Sequence, residues 1–142
     1  MIYTLTITCV SGRFRKEPFK RVVEVESSMT LNELHALIQS LAAFDGDHMY
    51  DFFAGKTIRD RKNTIGGHAD HIQREQKFDN IRLADIFPLP KGKKLFYWFD
   101  FGDNWMFGVA LKTQEEKGDS AEYPRIVGEK GPKPDQYPES EW

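Results

Sequence analysis

Two aspartates, Asp100 and Asp103, stand three apart across Gly102. That spacing can bring two carboxylates to one turn for a cation, or for acid–base work if their pKa values are driven apart. The same spacing is also turn chemistry, because an aspartate beside a glycine accepts backbone amides. His68-Ala69-Asp70-His71, with Glu75 nearby, is the one histidine–carboxylate cluster; its residue types suit zinc, yet loop neighbours seldom complete a site without another ligand. Tyr97, Trp98 and Trp105 would make a stacking platform for flat ligands if exposed, and core if not. Arg13, Arg15, Lys16, Lys20 and Arg21 are opposed only by Glu17, and Arg59, Arg61, Lys62 and Arg74 recur later. Such a basic set would hold phosphates in a salt-sensitive way, or simply be a solvated surface. Cys9 falls on the inward side of an alternating segment and reads as a buried, inert thiol. No Ser–His–acid set, phosphate loop or dinucleotide fingerprint is present.

These residues sit in a chain of 142, with 39% hydrophobic, 13% aromatic and 30% charged side chains. The length corresponds to one domain, and the composition supports a packed core without disulfide or metal staples. Twenty basic against 22 acidic residues give a net charge of −2, which argues against a dedicated electrostatic nucleic-acid module. One cysteine permits no internal disulfide, and with no secretory signal pattern the expectation is a cytoplasmic protein. No apolar run approaches the ~20 residues of a membrane span.

The elements that must position the candidates follow from periodicity. Tyr3, Leu5, Ile7 and Cys9 alternate with three threonines, a half-buried strand. Phe19 to Val25 resumes strand chemistry after Ser11-Gly12, so the two are expected to form one edge-to-centre antiparallel pair. Thr30-Leu31-Asn32-Glu33 is a capping box. It opens a helix whose stripe Leu31, Leu34, Leu37, Ile38 and Leu41 faces the sheet, with His35 and Gln39 toward the polar side. His48 to Ala54 reads as a third strand, residues 55 to 80 as a long loop, and Ile81 to Phe87 as a short helix ended by Pro88. Leu95 to Phe101 and Trp105 to Leu111 form a central aromatic hairpin, covered on both faces. From Gly128 the Pro-, Gly- and charge-rich end is expected to be an extended, mobile tail.

At this hairpin the chain resembles the plasmid pRiA4b ORF-3-like family. The resemblance rests on Tyr97-Trp98-Phe99-Asp100-Phe101-Gly102-Asp103-Asn104-Trp105, with Leu83-Ala84-Asp85-Ile86-Phe87 upstream and Tyr123-Pro124-Arg125 downstream. It implies a fold, and an association with plasmids and mobile elements, without an established activity. Family histidine and cysteine positions hold Phe107 and Ile126 here, and of a histidine pair on the strand after the helix only His48 carries over.

The sequence therefore predicts an α+β fold: a β-grasp-like mixed sheet with one main helix and a C-terminal aromatic β-hairpin. Residues 1–127 form the domain and 128–142 the tail. The expected function is a small intracellular binding module for a protein partner, with His48, Tyr97, Asp100, Asp103 and Trp105 as candidate binding residues. Nucleic-acid binding through Arg13, Arg15, Lys16, Lys20 and Arg21 is the first alternative, and a metal-dependent enzyme using His48, Asp100 and Asp103 or the loop histidines the second. No catalytic residue, metal ligand or cofactor is assigned, and no membrane partner is expected.

Overall fold

A computed structural model describes residues 1–67, 70–116 and 122–138, with every side chain among them except that of His71. In chain order the elements are β1 (Ile2–Ser11), β2 (Lys20–Glu26), α1 (Leu31–Ala42), β3 (Tyr50–Gly55), β4 (Asn63–Thr64), α2 (His71–Lys77), α3 (Leu83–Ile86), β5 (Lys94–Phe99), β6 (Trp105–Glu115) and β7 (Arg125–Lys130). The strands form one seven-stranded sheet in the order β4-β3-β5-β6-β1-β2-β7. Every strand pair is antiparallel. The fold is thus α+β and mostly sheet, and the mixed sheet expected from a β-grasp pattern is corrected to an antiparallel one.

Local sequence explains most elements. In β1 the inward Tyr3, Leu5, Ile7 and Cys9 are buried, and Leu5 lies opposite Val23 and Leu111. Glu33 N–H donates to Thr30 Oγ1, and Thr30 N–H to Glu33 Oε1, closing the capping box that starts α1. Leu31, Leu34, Ile38 and Leu41 join Tyr3, Leu5, Val23, Tyr97, Phe99, Trp105 and Phe107 in one apolar cluster between α1 and the sheet. A smaller cluster, Phe53, Phe96 and Met106, lies on the other face beneath Ile58 and Trp98. The β5–β6 hairpin is therefore central, with apolar packing on both faces.

Several expectations are corrected. Neither β1 nor β2 is an edge, because β6 flanks one and β7 the other. Residues 55 to 80 are no single loop: they contain β4 and α2, and α2 is tied down where Arg74 meets Asp51 at 3.1 Å. Both partners are buried, so each supplies the charge that makes the other's burial tolerable. The boundary at residue 127 cuts through β7, whose Gly128, Glu129 and Lys130 pair with Val22, Arg21 and Lys20. Beyond it, Gln136 is buried against the 45–48 segment.

Candidate functional site

The β5–β6 turn shapes one end of the sheet. Asp100 sits at φ 60° and Asn104 at φ 52°, left-handed positions that short polar side chains tolerate best. Asp100 Oδ1 accepts the N–H groups of Gly102 (3.1 Å) and Asp103 (3.2 Å), and Asp100 N–H donates to Met49 O at 3.0 Å. One carboxylate oxygen is thus consumed by the turn. The other, Oδ2, lies 3.7 Å from His48 Nε2. Asp103 turns elsewhere, pairing with Arg13 at 3.6 Å, so the two aspartates do not converge on a shared point.

His48 is the centre of a polar cluster built by three remote segments. Its Nε2 contacts the Tyr137 hydroxyl, which donates to Asp45 Oδ2 at 3.1 Å. Because that phenolic proton points at Asp45, the bond is completed by Nε2–H donating to Tyr137. Gln136 locks the arrangement: its Oε1 accepts Asp45 N–H at 2.9 Å and its Nε2 donates to Asp45 Oδ1 at 3.1 Å. Burial by itself would lift the Asp45 carboxyl, but hydrogen bonds from Asp47 N–H, Gln136 and Tyr137 outweigh it and hold the pKa below the ordinary value. Burial and the neighbouring Asp45 carboxylate push the Tyr137 phenol upward.

Beneath His48, across the Phe99 ring, lies a second network that residue patterning missed. His35 Nδ1 contacts the Tyr97 hydroxyl, and Gln39 Nε2 donates to the same oxygen at 3.0 Å. Gln39 is buried and His35 half-buried, which corrects their placement on the polar side of α1. The Tyr97 oxygen accepts from Gln39 and offers its proton to a neutral His35. Desolvation by burial lowers the His35 pKa from 6.5 to about 4, so the imidazole is neutral at physiological pH. Tyr50 stacks on His35 at 3.8 Å, and its hydroxyl bonds Asn32 Oδ1. Desolvation also carries the Tyr97 and Tyr50 phenols well above their usual range. Tyr97 and Trp105 are each 0% exposed, so these rings are core and form no stacking platform. A lone histidine or glutamine within an apolar helix stripe, spaced to face an aromatic strand, is the signal that would have found this network.

The remaining candidates are scattered. Arg21 is buried, donates to the carbonyls of Lys20, Lys130 and Gly131, and covers the Phe19 ring. Arg15 Nε donates to Cys9 O, and Arg13 pairs with Asp103. Of the proposed basic set, Arg15, Lys16 and Lys20 are exposed cations with no ion pair among the described residues. His68 and Ala69 of the loop cluster, and the His71 side chain, lie outside the described residues, while Asp70 caps α2 by accepting Gln73 N–H at 2.9 Å. Among the described residues no three His, Cys, Asp or Glu side chains group to hold a metal ion. Burial is the main force raising the Cys9 thiol to about 11, so it carries no thiolate at neutral pH. The His48 cluster brings an imidazole, the carboxylates of Asp45 and Asp100 and the Tyr137 phenol together at one end of the sheet.

Comparison with known proteins fits this picture of a fold without an assigned reaction. The plasmid pRiA4b ORF-3-like family matches residues 2–137. The chain belongs to that family. Its fold is similar to that of a crystallised protein of unknown function from Methanosarcina mazei Go1, with a TM-score of 0.68 and 23% identity over 90% of this chain and 68% of that one. No curated protein matches this family member. Among its described residues no helix is long and apolar enough to cross a membrane.

Proposed function

We infer that this chain is a small cytoplasmic binding module that takes a protein partner by strand addition at an open edge of its sheet. The observation carrying this reading is β7. It is the last strand of the sheet, six residues long, with Ile126 and Val127 about half exposed at 49% and 51%. An edge strand presents unpaired backbone groups, and apolar side chains beside them add affinity to that template. The opposite edge, β4, is only two residues long, as a blunted edge should be. The buried free thiol of Cys9 suits a reducing compartment. An association with plasmids or other mobile elements comes with the family and belongs to the same reading.

His48, Asp100 and Asp103 act within this reading as the support of the β5–β6 turn, with His48 and Met49 at its accessible rim. The test is affinity capture from the native host with the wild type and with an Ile126→Glu/Val127→Glu variant. A partner recovered by the wild type and lost by a folded variant is expected; equal recovery by both would overturn the reading.

A further inference from the structure

A second open edge lies inside the sheet and has a different chemistry. β5 pairs with β6 only from Trp105 to Val109, whereas β1 accompanies β6 as far as Glu115. Past Val109, β6 is therefore paired on one side among the described residues. The missing neighbour leaves a groove of about 680 Å³ between this edge and the Phe87-Pro88-Leu89 turn. Its floor is made of small or hydroxylated residues, among them Thr6, Thr8, Gly108 and Ala110. Lys20, Lys93, Lys94 and Lys112 line it, with no carboxylate among the described lining residues. Lys93 is neutralised by Asp60 at 3.2 Å. Lys20, Lys94 and Lys112 are exposed and have no ion pair among the described residues.

We propose that this groove binds an extended acidic segment of a partner protein, laid as an added strand against residues 110–115 of β6 with its carboxylates on Lys94 and Lys112. The proposal rests on the strand-addition reading and names a second edge together with its partner's chemistry. Open backbone gives such a segment its hydrogen bonds, and alternate side chains meet the lysines because strand side chains alternate in direction. A single-stranded nucleic acid is the poorer occupant. It needs exposed rings for base stacking, and the aromatics lining the groove, Phe87 and Phe96, are buried at 8% and 5%.

The probe is a fluorescein-labelled peptide of about ten residues alternating Glu and Val, a typical strand length, titrated by anisotropy and by backbone amide shifts. Expected are binding that weakens with salt, no binding of the Lys-for-Glu peptide, and shifts centred on residues 110–115. A Lys94→Glu/Lys112→Glu variant, which changes only exposed side chains, should bind at least about ten-fold more weakly. The proposal is overturned by any of four results: no peptide binding at low salt, binding unchanged in the variant, shifts confined to other strands, or preference for an oligothymidylate of similar length. Self-association abolished by the same variant, without peptide binding, would overturn it in favour of a second copy of this chain. Because β7 is untouched by this variant, loss of the groove proposal leaves the β7 capture result standing, and the converse also holds.

Discussion

At Asp100 the two oxygens of one carboxylate face different partners: Oδ1 holds the turn amides, and Oδ2 faces His48. Asparagine keeps the turn acceptor and tolerates the left-handed backbone, whereas alanine loses both. Asp100→Asn is expected to cost less than about 1 kcal/mol in urea unfolding and Asp100→Ala about 2 kcal/mol or more. Equal losses would mean that the charge facing His48, not the turn, sets the requirement. His35 gives a pH signature. Burial holds its folded pKa near 4, below the ordinary 6.5, so on acidification the unfolded chain takes up the proton first. Its contribution is complete above 6.5 and is lost as pH falls toward 4, at up to about 1.4 kcal/mol per pH unit, less the screening at a half-exposed ring. His35→Gln still accepts from Tyr97 without titrating, so its urea midpoint should fall less steeply across that window. Parallel slopes would show that His35 does not titrate as described.

Among the elements, the C-terminal strap behaves as structure. Gln136→Ala removes two hydrogen bonds to the Asp45 segment, with an expected loss of about 1–2 kcal/mol and faster amide exchange at Asp45. Unchanged exchange there would show that the strap is not closed in solution. The strap and β7 were illegible in the sequence for the same reason. Gly128, Pro124 and the surrounding charges carry weak strand preference, and pairing with β2 across about a hundred residues has no local trace. By contrast β1 and α1 were legible because alternation and the Thr30–Glu33 box act over neighbouring residues. His48, Asp100 and Tyr137 were only partly legible: resemblance pointed to the first two, while the tyrosine arrives from a distant segment. His35 and Gln39 were misread because helical position reports residue type, not the partner waiting on the opposing strand. Tyr97 and Trp105 were recognised as candidates for core or site, and burial decides for core.

On the scale of the whole molecule, one antiparallel sheet has its helices and main apolar cluster on one face and a smaller cluster on the other. The family match and the likeness in fold to the Methanosarcina mazei protein bring no reaction with them. What the architecture leaves uncovered is backbone edge: β7 at the sheet margin and the far half of β6 beside the lysines. The His48 cluster, closed by Asp45 and the Gln136–Tyr137 strap, is the contrasting surface at the end of the sheet. The most direct measurement places a photo-crosslinking amino acid at position 127, or at Met49, both about half exposed, in the protein expressed in its native host. Strand addition predicts a discrete protein adduct from position 127 and none from position 49. Adducts from position 49 alone, or from neither, would contradict a module that binds through the edge of its sheet.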